Sequence, residues 1–195
     1  MKGLFTLLSL ALISAPAFSV TVSFEDLPSE NFFNDTGANV ASFYAGLTFG
    51  PGVTGLSVTR FGGYSDAAFP PHSGDVVVWS AFDFDTTIAF ATPQAVVGLW
   101  YTSFDFLTLT AYDIGNSPLG SVVGNPNTDG FVGVSNFLSV SFPGISSVVI
   151  SGLPSAFVFD DLTFSTTAAV PEPSSAILFG TAIAVLVLRR RFLQR

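Results

Sequence analysis

The feature that most constrains the fold is a period-two pattern that recurs between residues 20 and 165. Residues 20–25 read Val-Thr-Val-Ser-Phe-Glu, and residues 106–112 read Phe-Leu-Thr-Leu-Thr-Ala-Tyr. Successive side chains of a strand point to opposite faces, so each run predicts a half-buried strand. No segment between residues 20 and 165 has convincing helical periodicity, and this excludes the crossover helices that parallel sheets need.

Nine further runs, rich in β-branched and aromatic residues, predict strands between Gly, Pro and Asn turn signals. They cover residues 42–49, 54–59, 74–80, 84–90, 95–102, 118–123, 131–141, 145–150 and 156–164. About eleven short strands in a single domain favour an all-β fold, an antiparallel β-sandwich or jelly roll. Most of the 22 Phe residues are expected to lie in its core.

Charge and composition exclude several function classes. Residues 20–170 hold 13 of the 14 acidic residues and a single basic one, Arg60, so their formal charge is −12. Such a surface repels nucleic acid and lacks the lysine of a P-loop or a Schiff base. With no Cys, thiolate metal sites and disulfides are excluded. An acidic surface suits cations and neutral polar ligands such as sugars, and it also favours solubility.

The N-terminus has the layout of a secretory signal peptide. Lys2 precedes the mostly apolar run 4–13, and Ala15 and Ala17 follow at the spacing of a signal peptidase site. We expect cleavage after Ala17 or Ser19. The predicted domains are therefore a signal peptide over 1–19 and a β-sandwich over 20–165.

The C-terminus has three consecutive parts. A spacer over 166–170 leads into Val170-Pro171-Glu172-Pro173. An apolar helix-forming run over 175–188 follows, and the cluster Arg189-Arg190-Arg191 closes it. The run predicts a thin or tilted transmembrane helix, with the arginines on the cytoplasmic side and the folded domain outside.

This three-part tail over 171–195 resembles the PEP-CTERM sorting signal of Gram-negative bacteria. The resemblance implies processing by an exosortase, with Pro171, Glu172 and Pro173 as the recognition element and the three arginines as the stop-transfer element. It also implies an inner-membrane intermediate held by the C-terminal helix. The mature protein would then lie at the cell surface or outside the cell, associated with exopolysaccharide and biofilm.

Four carboxylates near the two ends of the domain are candidate metal ligands: Glu25 and Asp26, which close the first strand, and Asp160 and Asp161 in the last. If these strands pair, the four acids meet, although only one of the adjacent pair 160–161 is expected to face inward. The segments resemble the terminal strands of carbohydrate-binding jelly-roll and galactose-binding-like domains, which implies a structural Ca²⁺. The alternative is ordinary surface acids, with no cofactor.

Other candidate sites are weaker. Asp83 and Asp85 share one strand face and suit a cation or an acid–base pair, or simple solvation. His72, Ser73 and Asp75 lie in a Pro/Gly loop, where adjacency does not produce triad geometry, so we predict no catalytic residues. Phe157 and Phe159 indicate either a covered central strand or an exposed platform for sugar rings.

Three functions remain open. The first is a non-catalytic, carbohydrate-binding surface or matrix protein. The second is a structural surface protein without a ligand, and the third is a carboxylate-dependent glycan-active enzyme. Exposure of Tyr44, Tyr64, Trp79, Trp100, Tyr101 or Tyr112 in a concave patch would favour the first.

Overall fold

The described part of the chain contains strands and turns only. The computed structural model describes residues 19–27, 38–57, 67–80 and 85–166. Its ten strands in chain order are β1 (Ser19–Val22), β2 (Ala38–Asn39), β3 (Leu47–Phe49), β4 (Val53–Ser57), β5 (Val76–Ser80), β6 (Asp85–Ser103), β7 (Leu107–Tyr112), β8 (Pro118–Gly124), β9 (Asn136–Ser151) and β10 (Phe157–Ser165). No helix long and apolar enough to cross a membrane occurs within those ranges.

Every strand pair is antiparallel, as predicted. The order across the sheet is β2-β4-β5-β10-β6-β9-β7-β8, with β1 joined to β10 and β3 joined to β6. The first and last strands pair in register from Ser19↔Ser165 to Val22↔Leu162, which confirms the pairing expected from the sequence.

Two long strands, β6 and β9, connect the two halves of the fold. The first half of β6 pairs with β3, and its second half pairs with β10, while β9 follows it on the other side. The register between β6 and β9 shifts on both sides of Gln94. Pro143 and Gly144 lie in β9 opposite this irregularity. The predicted strands 84–90 and 95–102 are therefore parts of one strand, β6. The predicted strand 145–150 and most of 131–141 likewise form one strand, β9, because Pro143-Gly144 bends β9 without ending it.

The core lies between the two halves of the sheet. Both halves of β6 contribute side chains to a single buried cluster that also includes residues of β7, β9 and β10. The first half contributes Ile88 and Phe90, and the second half contributes Val97 and Leu99. Burying apolar faces from both layers against each other is the packing of a β-sandwich. The all-β antiparallel fold predicted from the sequence is confirmed.

Some predicted strands begin later than expected. Residues 41–46 form turns before β3, and residues 131–135 belong to the loop before β9. The predicted signal peptide, with Ala15 and Ala17, lies outside the described residues, as do Arg60, Tyr64, Asp83 and the whole tail from Val170 to Arg191.

Candidate functional site

Asp160 and Asp161 are both buried in β10, at 2% and 7% exposure. The expectation that only one of them faces inward is wrong. The register of β10 against β6 shifts between Asp160 and Thr163, and Asp161 adopts a left-handed φ of 46°. This bulge interrupts the alternation of the strand, so both carboxylates reach the same side.

Both carboxylates bind the loop at residues 70–76, which we call the clamped loop. Oδ2 of Asp160 accepts the backbone N–H groups of His72 and Ser73, each at 2.9 Å. Oδ1 of Asp161 accepts the Ser73 hydroxyl at 3.0 Å, and its Oδ2 lies 2.5 Å from Nδ1 of His72. Four contacts from two adjacent residues therefore fix the position of His72.

Glu25 holds the other end of the clamped loop. Its Oε1 accepts the backbone N–H groups of Asp75 at 3.0 Å and Val76 at 2.8 Å. Gly74 lies directly against this side chain, since a Cβ added there would be 2.3 Å from Cδ of Glu25. With φ at +58°, Gly74 meets both a conformational and a steric requirement for glycine.

Burial raises the pKa of two of these acids, Asp160 and Glu25. Burial raises the pKa of Asp160 to about 7, against the lowering effect of the Ser73 N–H, and the neighbouring charge of Asp161 adds to the rise. Burial likewise raises the pKa of Glu25, while the N–H of Val76 opposes the shift. Both shifts follow chiefly from removing a carboxylate from water, which disfavours its charged form.

Three of the four predicted Ca²⁺ ligands, Glu25, Asp160 and Asp161, thus converge on one loop, where their oxygens accept hydrogen bonds from protein groups. Asp26 points elsewhere and accepts the hydroxyl of Tyr44 at 2.6 Å. Burial and this carboxylate raise the pKa of Tyr44. Within the described ranges, no group of three or more His, Asp or Glu side chains is arranged to hold a metal ion. The calcium site stays a prediction.

The clamped loop does not form a catalytic triad. The Ser73 hydroxyl donates to Asp161, and the imidazole of His72 contacts the same carboxylate. In a triad the serine instead donates to the histidine, which the carboxylate orients. Of the other predicted acid pair, Asp85 is exposed at the start of β6.

An aromatic wall stands on the outer face of the sheet, opposite the core. The His72 ring lies flat on Trp100, with centroids 3.6 Å apart and planes inclined by 9°. Phe137, which is paired with Trp100 across β6 and β9, lies 5.4 Å from the Trp100 ring. Phe137 is 48% exposed and extends over Gly98, where a Cβ would be 2.5 Å from its ring.

Beside this wall lies what we call the open face, formed by β1, β10, β6 and β9. Two rows of paired residues cross the four strands on the side opposite the core. One row is Thr21, Thr163, Gly98 and Ser139, and the other is Ser19, Ser165, Val96 and Ser141. Six of these eight residues carry hydroxyl groups, and Ser19, Thr21, Ser139 and Ser141 are exposed.

A cavity adjoins the open face at Ser141. It has a volume of about 550 Å³ and lies where the register of β6 and β9 shifts. Its lining consists of Pro93, Gln94, Ala95, Ser141, Phe142, Pro143, Gly144 and Thr166. The aromatic wall, the hydroxyl rows and the cavity follow one another along β9.

The aromatic residues singled out by sequence have mixed outcomes. Phe157 and Phe159 are fully buried core residues, so a sugar platform on β10 is wrong and the covered central strand is confirmed. Tyr101 is buried, and Trp100 is partly exposed beneath His72. Sequence reasoning missed Phe137 and the hydroxyl rows, although the alternation in Phe137-Leu138-Ser139-Val140-Ser141 carried the signal.

The C-terminal tail is the part of the chain that a known family model matches. An all-β domain followed by a Pro-Glu-Pro element, an apolar run and an arginine cluster has the layout of an exported protein that is processed at a membrane. Residues 169–191 match the family model of the PEP-CTERM protein-sorting motif. The chain therefore carries this motif, which confirms the resemblance and implies export in a bacterium, a membrane-anchored intermediate and processing by an exosortase.

Solved structures with a similar backbone are carbohydrate-binding modules of family 29. One, a CBM29-2 variant made to probe ligand recognition, has a TM-score of 0.42 and 10% identity, over 80% of this chain and 96% of that chain. A second family 29 module has a TM-score of 0.41 at 10% identity, over 78% and 90%. A third, from Piromyces equi, has a TM-score of 0.37 at 6% identity, over 67% and 97%. No curated protein sequence matches the chain.

Proposed function

We propose that the protein is an exported surface or matrix protein of a Gram-negative bacterium, sorted by an exosortase, whose β-sandwich binds exopolysaccharide without modifying it. The sorting motif at residues 169–191 is the observation that carries the surface role. Before processing, the apolar run and the arginine cluster hold the chain in the inner membrane, and the domain lies outside.

The open face supports the binding role. Its exposed serine and threonine hydroxyls both donate and accept hydrogen bonds, and this matches the hydroxyl groups of a sugar chain. Phe137 offers an apolar ring beside them, and a few polar groups next to an aromatic surface are typical of ligand sites. Biofilm association follows from the same two features, surface delivery and sugar binding.

The side chains of the clamped loop support a positioning role and not a catalytic one. Asp160, Asp161 and Glu25 accept backbone and side-chain hydrogen bonds from the loop that sets His72 against Trp100. A glycosidase needs one carboxylic acid and one carboxylate on either side of a bond in a cleft. We therefore propose that these acids shape the wall beside the open face.

Retention of the full chain on immobilised exopolysaccharide from the source bacterium tests the binding role. A polyoxyethylene detergent keeps the tail soluble without adding sugar headgroups. We expect saturable retention that Phe137→Ala reduces about tenfold, which corresponds to about 1.4 kcal/mol. Phe131→Ala is the matched control, because Phe131 is 81% exposed in the loop before β9 and outside the open face.

Two results would change the proposal. Absence of retention would leave a structural surface protein, with sorting as its established feature. Release of reducing ends from the polysaccharide by the purified chain would instead establish a glycan-active enzyme. Repeating the measurement with and without Ca²⁺ tests the predicted calcium site at Glu25, Asp26, Asp160 and Asp161.

A further inference from the structure

The described residues carry an unusually one-sided set of charges. They include nine carboxyl groups, those of Glu25, Asp26, Asp75, Asp85, Asp105, Asp113, Asp129, Asp160 and Asp161, and neither Lys nor Arg. The single His in these ranges, His72, is engaged with Asp161. No fixed cation within these ranges can pair with an acidic group on a ligand.

Acidic sugars are bound most strongly where such a cation is present. Carboxylate and sulfate groups are bound in proteins chiefly by Arg and Lys, which supply charge-assisted hydrogen bonds. Among the described residues of the open face, an anionic chain would find hydroxyl groups and the Phe137 ring as its polar and aromatic contacts. Asp160 and Asp161 lie nearby in β10, where they hold His72. The charges of an anionic chain would lose water and gain hydroxyl donors, but no oppositely charged partner among the described residues.

The open face is well suited to an uncharged chain. Its rows cross four strands, and three spacings of roughly 4.8 Å give a surface about 14 Å across. Hydroxyl groups stand on β1, β10 and β9, while β6 contributes Gly98 and Val96. Gly98 lets the Phe137 ring lie close to the sheet at the edge of these rows. The surface thus offers neutral donors and acceptors beside an apolar ring, and these are the groups that a neutral sugar also presents.

We propose that the open face binds uncharged polysaccharide and discriminates against uronate-bearing or sulfated chains. This inference rests on the proposed sugar-binding function and adds the ligand class to it. Among the described residues, none near Ser139 is a cation, and the nine carboxyl groups of this part of the chain repel an anionic ligand; selectivity comes from these two features. It is therefore strongest at low salt, where charges are least screened.

The test uses the full chain in the same sugar-free detergent. Exopolysaccharide of the source bacterium is separated by anion exchange into neutral and acidic fractions, and part of the acidic fraction is carboxyl-reduced to the neutral sugars. We expect retention on the neutral and the reduced fractions at least about tenfold stronger than on the unreduced one, or about 1.4 kcal/mol. Equal or stronger retention on the unreduced acidic fraction overturns the inference while leaving sugar binding intact.

A charge-adding variant tests the location. Ser139→Lys places a cation in the middle of the open face, and we expect it to raise retention on the acidic fraction about tenfold. Ser121→Lys is the matched control, because Ser121 is also an exposed strand serine but lies in β8. The location is overturned if Ser139→Lys leaves the ratio of retention on the acidic fraction to retention on the neutral fraction unchanged. It is also overturned if Ser121→Lys raises retention on the acidic fraction as much as Ser139→Lys does. Absence of retention on every fraction contradicts the proposed function itself.

Discussion

Single residues determine how the clamped loop is held, and Gly74 is the least replaceable of them. Its φ of +58° suits glycine, and the space where a side chain would begin is already occupied by the Glu25 carboxyl group. We predict that Gly74→Ala costs more than the roughly 1 kcal/mol expected for alanine at a positive φ, because Glu25 must also give up its two N–H contacts. Urea unfolding measures this cost.

Gly144 offers a matched control for that substitution. Its φ is +82°, but nothing lies within 4 Å of the added Cβ, so Gly144→Ala carries the backbone strain alone. The difference between the two variants therefore isolates the contact with Glu25. Equal losses of stability would mean that Glu25 does not depend on the clamped loop.

Asp160 links stability to pH. Its carboxyl keeps its proton up to about pH 7 in the folded state, because burial raises its pKa, whereas the unfolded chain releases the proton near the ordinary aspartate pKa of 3.8. Between these values the folded state binds more protons, so the free energy of unfolding falls as pH rises from about 4 to 7. The decrease is of the order of a few kcal/mol, at about 1.4 kcal/mol per pKa unit.

We predict that Asp160→Asn flattens this slope, since the amide keeps an acceptor for the His72 and Ser73 N–H groups but does not titrate. Thermal melts at pH 4, 5.5, 7 and 8 measure it. Asp85→Asn, at an exposed position, should leave the slope unchanged. If the free energy of unfolding of Asp160→Asn still falls between pH 4 and 7, another group causes the pH dependence. Glu25 would then be the next candidate, because its pKa is also raised.

At the scale of elements, Asn127 takes the place of a strand partner at the end of β6. Its side chain accepts the N–H of Ser103 at 2.6 Å and donates to the carbonyl of Tyr101 at 2.9 Å. Its own N–H donates to the Ser103 carbonyl at 2.9 Å. These three bonds attach the loop between β8 and β9 to β6, ahead of the regular pairing that begins at Asn136↔Tyr101.

Asn127→Ala should therefore destabilise the domain by about 1–3 kcal/mol, because it leaves backbone groups of Tyr101 and Ser103 without their partner. A lower thermal midpoint is the readout. Asn125→Ala is the control, since Asn125 is exposed and the Tyr101 hydroxyl donates to its backbone carbonyl, which alanine retains. Equal midpoints for the two variants would contradict the role given to Asn127.

The elements also show where sequence reasoning succeeds and where it stops. The alternation in residues 106–112 predicts a strand with one buried face, and β7 has it. The alternation in residues 20–25 also predicts a strand, but β1 ends at Val22, and Val20, on the face predicted to be buried, is 48% exposed. Alternation says nothing about a bulge, so the convergence of Asp160 and Asp161 on His72 was not predictable from their spacing. Pro143-Gly144 has the composition of a turn, and only the pairing of β9 with β6 and β7 decides that the strand continues through it.

At the scale of the whole molecule, the first and last strands are neighbours, so the chain enters and leaves the described domain at Ser19 and Ser165, side by side. The tail after Thr166 therefore starts at one edge of the open face, and the aromatic wall stands farther along β9. Phe137 and the hydroxyl rows lie on a surface of the described domain that the core does not use.

The sorting motif gives a prediction for the whole protein. Replacing Pro171, Glu172 and Pro173 by alanine should leave the chain uncleaved in the inner membrane, because the exosortase recognition element is gone while the apolar run and arginines remain. Cell fractionation with immunodetection of the domain measures this. Thr167→Ala, in the spacer before the motif, should be processed normally. Normal surface delivery of the triple variant would contradict the sorting role.

Mapping the ligand by NMR tests the central claim most directly, namely that the open face of this exported domain binds polysaccharide. Backbone amide shifts would be recorded while a neutral oligosaccharide fraction of the exopolysaccharide is added. The account predicts that the largest changes fall on Gly98, Phe137, Ser139 and Ser141 and saturate together, with residues 129–134 unaffected. Saturating changes confined to residues 129–134, or none anywhere, would contradict it.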